Sequence, residues 1–384
     1  MAKPQNIETT PHPSTLIIGI QAPYNETKNI DSYFEEFRNL LRTNDITYDV
    51  EQLIKLREIN KKTFITPGKL EDIRKICQKE EIEDVYISEP LTTLQAKNLE
   101  DYLNCKIFDR TDLILAIFQR AAQTAEGKMQ VTIAMLEHEK TRLAGKGLFL
   151  EQQRGGTGSK GGAGTKSGSG ETLKEREKRV INAKIQQMRR QLETLQQTRE
   201  TQRKKRLVAN IPHICLIGYT NAGKSTILNA LTKANVLAEN KLFATLDTTT
   251  RELFINGKKK GILSDTVGFI QYLPHKLIEA FKSTLAELQY ADLLLEVIDA
   301  SDHDWQAHIT VVQEILDDLE ITKPILYVFN KIDAISEEER EKLEADAHKY
   351  LPHVLISAKN VAGIKPLVEQ LATWNPIKTP YSKK

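Results

Sequence analysis

The nine residues GYTNAGKST, at positions 218 to 226, constrain the fold of this 384-residue chain more than any other stretch. The apolar run ICLIG (214 to 218) leads into them and STILNALTKA (225 to 234) leads out. The first run reads as a buried strand and the second opens a helix, so the nonapeptide lies at a strand-to-helix turn. Gly218, Gly223, Lys224 and Ser225 fit the pattern G-x-x-x-x-G-K-[ST], with Tyr219, Thr220, Asn221, Ala222 and Thr226 filling the other positions. Glycines let backbone N–H groups approach phosphate oxygens, and the helix N-terminus adds positive potential. Lys224 is placed to reach the β- and γ-phosphates and Ser225 to ligate Mg²⁺.

Three further loops follow in chain order, each at the end of a predicted strand. SDTVGF (264 to 269) supplies Asp265, placed to hold Mg²⁺ through water, and Gly268, whose N–H can sense a γ-phosphate. PILYVFNKID (324 to 333) ends in Asn330, Lys331 and Asp333, and VLISAK (354 to 359) ends in Ser357, Ala358 and Lys359. The Asp333 carboxylate can accept from N1–H and the exocyclic amine of guanine, whereas adenine would leave that acceptor unpaired. Lys331 can cover the ring with its aliphatic stem. GTP and GDP are therefore the expected ligands, with Mg²⁺ as cofactor.

Between the phosphate loop and Asp265 lies FATLDTTTR (243 to 251). A threonine there can ligate Mg²⁺ and close on the γ-phosphate; Thr249 is the expected ligand, with Thr248 and Thr250 as rivals. Phe269 follows Gly268 where many GTPases carry a water-orienting glutamine. A phenyl ring cannot orient water, so intrinsic hydrolysis is expected to be slow and assisted. Asn221 resembles the asparagines that ligate K⁺ beside the phosphates in GTPases with a G-x-x-N-x-G-K-S loop. The alternative is an asparagine that only stabilises the loop. The groups expected to act in hydrolysis are thus Asn221, Lys224, Thr249 and Gly268.

The rest of the chain divides by pattern. After a disordered tail (1–13), residues 14–110 alternate short apolar runs with amphipathic stretches, as a small α/β domain with a largely parallel sheet does. From Leu113 to Leu143 apolar residues recur at helical spacing with no turn signal except Gly127. A second helical run, 172 to about 206, carries Ile181, Ile185, Met188, Leu192 and Leu195 at 4-3-4-3 steps, a coiled-coil seam. Residues 111–207 are therefore expected to form a long antiparallel helical hairpin. Its linker, 155–170, has eight glycines in sixteen residues and nothing to bury. Residues 211–375 return to β/α alternation as a P-loop GTPase domain with a mostly parallel sheet, followed by a basic tail, 376–384. The fold class is α/β.

Composition excludes several classes. No stretch of eighteen apolar residues exists for a membrane span, and the N-terminus has no apolar core for a secretory signal, so a cytoplasmic location is expected. Cys77, Cys105 and Cys215 are scattered and odd in number, which argues against a disulfide framework or a four-thiolate zinc site and for reduced, buried thiols. A formal net charge of +2 implies no nucleic-acid partner by itself. Locally, residues 171 to 206 hold twelve Lys or Arg against five Glu, ending in Arg203, Lys204, Lys205 and Arg206. A basic helix face beside a glycine-rich loop can lie along RNA phosphates, or can be a solvated coiled-coil face. A second long helix in the same chain favours an intramolecular hairpin, hence a monomer.

These motifs, together with IFDRTDLILAIFQRAAQTAEGKMQV (107 to 131), LFATLDTTTR, DTVGFIQYLPHKLIEAFKSTL (265 to 285), NKID, SAK and the glycine-rich linker ending in GET (170 to 172), resemble the HflX family of ribosome-associated GTPases. The resemblance covers most of the chain. It implies GTP hydrolysis coupled to the large (50S) ribosomal subunit and its rRNA, with the N-terminal domain and linker near the peptidyl-transferase centre, and a role in splitting or rescuing stalled ribosomes under stress. It also implies ATP binding as reported for some members, although the N-terminal domain shows no phosphate-loop pattern. A ribosome-assembly GTPase uses the same parts. An ATP-dependent RNA-remodelling enzyme and a protein-signalling switch are the readings from other classes. Three departures stand out. Ser169 replaces the family's usual proline before GET, Leu173 replaces the glutamine after it, and Thr248 stands where a proline is common.

Overall fold

The computed structural model describes residues 13–24, 30–154, 173–208, 211–232, 241–271 and 285–376. The first twelve residues, the glycine-rich linker, residues 272–284 and residues 377–384 lie outside the described residues, as do the side chains of the Arg203 to Arg206 cluster. The chain divides into two compact units, Met1–Ala116 with Glu137–Asn182, and Ile117–Leu136 with Ala183–Lys384.

In the first unit four parallel strands, β1 (Thr15–Gln21), β2 (Val50–Lys55), β3 (Asp84–Ile87) and β4 (Lys106–Phe108), lie in the order β2-β1-β3-β4. The helices α1 (Ile30–Thr43), α2 (Pro67–Lys79) and α3 (Thr93–Leu103) connect them in turn. β1 carries the apolar run LIIGI because it is central and covered on both faces; Leu16, Ile17, Ile18 and Ile20 are fully buried. VEQLIK in β2 mixes polar and apolar residues because it is an edge strand that buries little, and the run carries no strong strand signal in the sequence. α3 starts at a reciprocal cap between Thr92 and Gln95. α4 (Arg110–Ala121) starts at another: Asp109 Oδ1 accepts from the Asp112 N–H at 3.0 Å and Asp112 Oδ2 from the Asp109 N–H at 2.9 Å.

The long apolar-periodic region does not break at Gly127. It breaks at residues 122–124, between α4 and α5 (Ala125–Arg154), and Gly127 lies within the first turn of α5. Thr124 caps that turn, its Oγ1 accepting from the Gly127 N–H at 3.0 Å. The second helical run is one helix, α6 (Leu173–Val208). Its 4-3-4-3 seam is buried at Ile181 and Ile185, half-buried at Met188 and Leu192, and exposed at Leu195, so it buries a short apolar patch and not a continuous stripe.

The second unit contains a six-stranded sheet in the order β10-β9-β8-β5-β7-β6. β5 (His213–Gly218), β7 (Lys258–Asp265), β8 (Leu293–Asp299), β9 (Ile325–Asn330) and β10 (His353–Leu355) run parallel, and β6 (Thr249–Ile255) pairs antiparallel with β7. Asn256 and Gly257, both at positive φ, close that hairpin as a two-residue turn. α7 (Lys224–Thr232), α8 (Trp305–Asp318), α9 (Glu337–Ala347) and α10 (Lys365–Thr373) complete the unit among the described residues. Ile214, Leu216, Leu263, Leu295, Val297 and Val328 form the centre of its core, which is why these strands read as unbroken apolar runs. The three cysteines are buried and unbridged. No helix among the described residues is long and apolar enough to cross a membrane.

Candidate functional site

The C-terminal ends of β5, β7, β8, β9 and β10 lie along one edge of the sheet, where open α/β sheets bind ligands. Gly218 ends β5 at φ +137 with space for a hydrogen only, since a Cβ would meet Val297 O at 2.2 Å. Gly223, at φ +98, would push a Cβ to 2.3 Å from Asn330 Nδ2. These two positions force glycine by both conformation and space, and they set the loop's curl. Asn221 adopts φ +62, the left-handed region that asparagine tolerates, and lines the pocket with Thr220, Lys224, Ser225, Thr226, Gly268 and Lys331.

The Lys224 ammonium is buried and donates to Gly218 O at 3.1 Å and Tyr219 O at 2.7 Å. Burial pulls its pKa down to about 8, with Asp265 opposing. A triphosphate beside it would favour the charged form. Gly268 belongs to the same corner: a Cβ there would come within 2.9 Å of Thr220 Cγ2 and 3.0 Å of Lys224 Nζ.

Phe269 is 1% exposed and packs into the core. Its N–H donates to Gly218 O at 3.1 Å, and its carbonyl oxygen accepts from the Thr220 N–H at 2.8 Å. Its main chain straps the loop after Asp265 to the phosphate loop, and the burial of its ring accounts for an apolar residue at this position.

The hydroxyl and carboxylate cluster differs in one member from the sequence expectation. Ser225 Oγ donates to Asp265 Oδ2 at 2.6 Å and lies 2.7 Å from Thr245 Oγ1. Thr249, the expected third member, instead opens β6 and pairs with Asp265 in the antiparallel ladder. Neither rival hydrogen-bonds to Ser225 or Asp265. Thr250 Oγ1 meets Ser264 Oγ at 2.8 Å, and Thr248 Oγ1 is buried without a hydrogen-bond partner among the described residues. The physical reason is strand register: β6 starts at residue 249, so the loop that can face the phosphates ends before it. The strand-like alternation of TTRELFI was the signal that could have moved the choice forward to Thr245. Lys241, Phe243, Ala244 and Thr266, which also line the pocket, carried no such signal.

On the base side, Asn330 joins two loops. Its Nδ2 donates to Ala222 O at 2.9 Å, and its Oδ1 accepts from the Ala358 N–H at 2.9 Å. Lys331 sits at φ +66 with its ammonium 2.6 Å from Asp299 Oδ2, which steers its stem along the pocket wall. Asp333 Oδ1 accepts from Ser357 Oγ at 2.6 Å, and Lys359 Nζ lies 3.6 Å from Asp333 Oδ2. The Ser357 hydrogen bond is the main cause that holds the Asp333 carboxyl below its ordinary pKa, so it stays an acceptor. Every expected residue of the four loops thus lies at this edge, and Thr249 lies there too, opposite Asp265, but Thr245 takes its place beside Ser225.

The cluster suits Mg²⁺. Asp265 is fully buried, its Oδ1 has no hydrogen-bond partner among the described residues, and burial raises its carboxyl pKa. A divalent cation would satisfy that oxygen and favour the ionised carboxylate.

Comparison with known proteins agrees in order and extent. Residues 31–119 match the family described as GTP-binding GTPase N-terminal, residues 121–206 its middle region, and residues 213–331 the family described as 50S ribosome-binding GTPase. The GTPase HflX of Caldanaerobacter subterraneus subsp. tengcongensis is 43% identical over 318 residues, 83% of this chain and 71% of that protein. The GTPase HflX of Spirochaeta thermophila is 35% identical over 381 residues, 97% of this chain and 89% of that protein. A solved structure of a GTP-binding protein from the archaeon Sulfolobus solfataricus in complex with GDP is similar over 94% of this chain and 99% of that one, at 25% identity and a TM-score of 0.45. With its four loops gathered at one sheet edge and relatives at this level of identity over most of their length, the chain belongs to the HflX family of GTPases.

Proposed function

We propose that this GTPase acts on the large ribosomal subunit, splitting or rescuing stalled ribosomes, with Mg²⁺ as its cofactor and a switch loop centred on Thr245. The observation that carries the nucleotide half is the convergence of Ser225, Thr245 and Asp265 beside Lys224 and Gly268. The ribosomal half is supported by the match of residues 213–331 to a 50S ribosome-binding GTPase family and by the basic composition of residues 171 to 206.

The chain's own groups divide the work. N–H groups of residues 221 to 226 cradle the phosphates, and Lys224 turns its ammonium from Gly218 O and Tyr219 O toward the β- and γ-oxygens. Ser225 and Thr245 would offer hydroxyl oxygens, and Asp265 a carboxylate, to hold Mg²⁺, which when bound would supply neutralisation of the charge developing on the phosphates. The Gly268 N–H reports the γ-phosphate. Asp333 reads guanine from its Watson–Crick edge, while Asn330 sets the spacing between the phosphate loop and the 357–359 loop. Contacts made only to the γ-phosphate supply the free-energy difference between GTP and GDP states that a switch needs.

Co-sedimentation of the full chain with 50S subunits tests the ribosomal half, with GTP, GDP or no nucleotide, and again with residues 155–170 deleted. Pelleting that needs both GTP and the linker is expected. Equal pelleting under all conditions would remove the proposal.

A further inference from the structure

Asp247 lies two residues beyond Thr245, in a loop that the nucleotide reading treats only as a carrier of hydroxyls. Its side chain does not face the pocket. Asp247 Oδ2 accepts from the Gln123 N–H and the Thr124 N–H, each at 2.8 Å, and Oδ1 accepts from Thr124 Oγ1 at 2.5 Å. One carboxylate thus takes three hydrogen bonds from the turn between α4 and α5, from residues more than a hundred positions earlier in the chain. Bonds of this kind, with an ionised acceptor, are about twice as strong as neutral ones.

A second contact lies on the other side of Thr245. The Phe243 ring packs edge-on against Phe118 of α4, with centroids 4.7 Å apart. Phe243, at φ +54, is held in the left-handed region that a bulky residue adopts only when its surroundings impose it. Leu242 and Leu246 are buried beside it. Thr245 therefore sits between two fixed points, one held by the last turns of α4 and the other by the turn that follows it.

The same turn shows why Gly127 interrupts the helical pattern. A Cβ on Gly127 would fall 2.2 Å from Asp247 Oδ1. That oxygen is the tip of a side chain, but the carboxylate that carries it is held by three hydrogen bonds, one on Oδ1 and two on Oδ2, so it yields only at their expense. The glycine is the imprint of the loop on the helix.

We infer that the α4–α5 turn is a positioning element for GTP hydrolysis, with Asp247 the residue that holds Thr245 at the Ser225–Asp265 pair. Asp247 does not line the pocket; it acts through Thr245. This rests on the reading of Thr245 as the metal-facing hydroxyl. Misplacing such a group by about 1 Å typically costs about a hundredfold in rate. GDP binding uses the phosphate loop and the guanine loops, so it is indifferent to the clamp.

The full chain carrying Asp247→Ala, Asp247→Asn, Gly127→Ala or Thr245→Ala provides the test. Turnover is followed across a Mg²⁺ titration at saturating GTP, and GDP affinity is read with a fluorescent GDP analogue. Asp247→Ala and Gly127→Ala are expected to lower kcat at least tenfold, to raise the half-saturating Mg²⁺ concentration and to keep GDP affinity within about twofold. Asp247→Asn, which keeps an acceptor, is expected to fall between. If Thr245→Ala is impaired while Asp247→Ala matches the parent in kcat and Mg²⁺ dependence, the clamp is overturned and the metal reading survives. If Thr245→Ala itself behaves as the parent, both fall. Loss of GDP affinity in Asp247→Ala would mark collapse of the site and would also overturn the positioning role.

Discussion

The Asn330 side chain donates to the Ala222 carbonyl oxygen at 2.9 Å and so ties the guanine side of the pocket to the phosphate loop. Its other end accepts from the Ala358 N–H, so a single amide sets the distance between two loops. Asn330→Ala leaves both backbone groups without this partner in a buried position, at a cost of about 1–3 kcal/mol each. GDP and GTP affinities are expected to fall together by at least tenfold. Titration with fluorescent analogues of both nucleotides checks this, and an unchanged GDP affinity would count against the strut.

Asp333 stands next, because Ser357 and Lys359 keep its carboxylate ionised without covering it. Replacing it by asparagine exchanges an acceptor for a donor at one oxygen. Asp333→Asn is expected to weaken GTP by about 2 kcal/mol or more and to favour xanthosine triphosphate, whose oxygen replaces the guanine amine. Competition between the two triphosphates on the variant decides the matter. A variant that still prefers GTP would show that the base is read elsewhere.

Asn221 adopts the left-handed conformation at the pocket lining, where its side chain can serve a monovalent cation beside the phosphates. GTP turnover is expected to be at least several-fold faster in KCl than in NaCl at equal ionic strength. Asn221→Ala should abolish the difference while retaining nucleotide binding. Identical rates of the parent in the two salts would discard a role for K⁺.

Glu296 lies in the middle of β8, 1% exposed, and neither carboxylate oxygen has a hydrogen-bond partner among the described residues. Burial pushes its pKa up to about 8 from an ordinary 4.5. The folded state therefore holds a proton there that the unfolded chain releases above pH 4.5, so the contribution of Glu296 to stability is most favourable below that pH and is lost as pH rises toward 8. The full effect is on the order of a few kcal/mol. Glu296→Gln is expected to flatten the decline, raising the melting temperature at pH 8.5 relative to the parent by more than at pH 5. Both tryptophans, Trp305 and Trp374, belong to the same compact unit as Glu296, so their fluorescence follows its unfolding. Parallel melting curves for parent and variant across this range would show that Glu296 is not the group responsible.

The sequence revealed most where local chemistry alone dictates geometry. Gly218 and Gly223 are forced by the loop they make, and Asp265, Asn330 and Asp333 stand at the ends of strands whose apolar runs are unmistakable. Thr245 was not legible in the same way. Choosing among Thr245, Thr248, Thr249 and Thr250 depends on the residue at which β6 begins, and that is decided by pairing with β7. β2 was silent because an edge strand has little to bury. The break between α4 and α5 left no turn signal in the sequence except Gly127, because the partner that holds that turn, Asp247, comes from a distant part of the chain. Helical periodicity carries no trace of such a bond.

The clamp on Phe243 and Asp247 bears on how shortened versions of this protein behave. A fragment starting near His213 would keep the whole six-stranded sheet and every loop that meets the nucleotide. It would lack Phe118, Gln123 and Thr124, and so both anchors of the Thr245 loop. Sluggish turnover by such a truncation would then be a property of the cut, and comparing it with the intact molecule would overstate any stimulation credited to the ribosome.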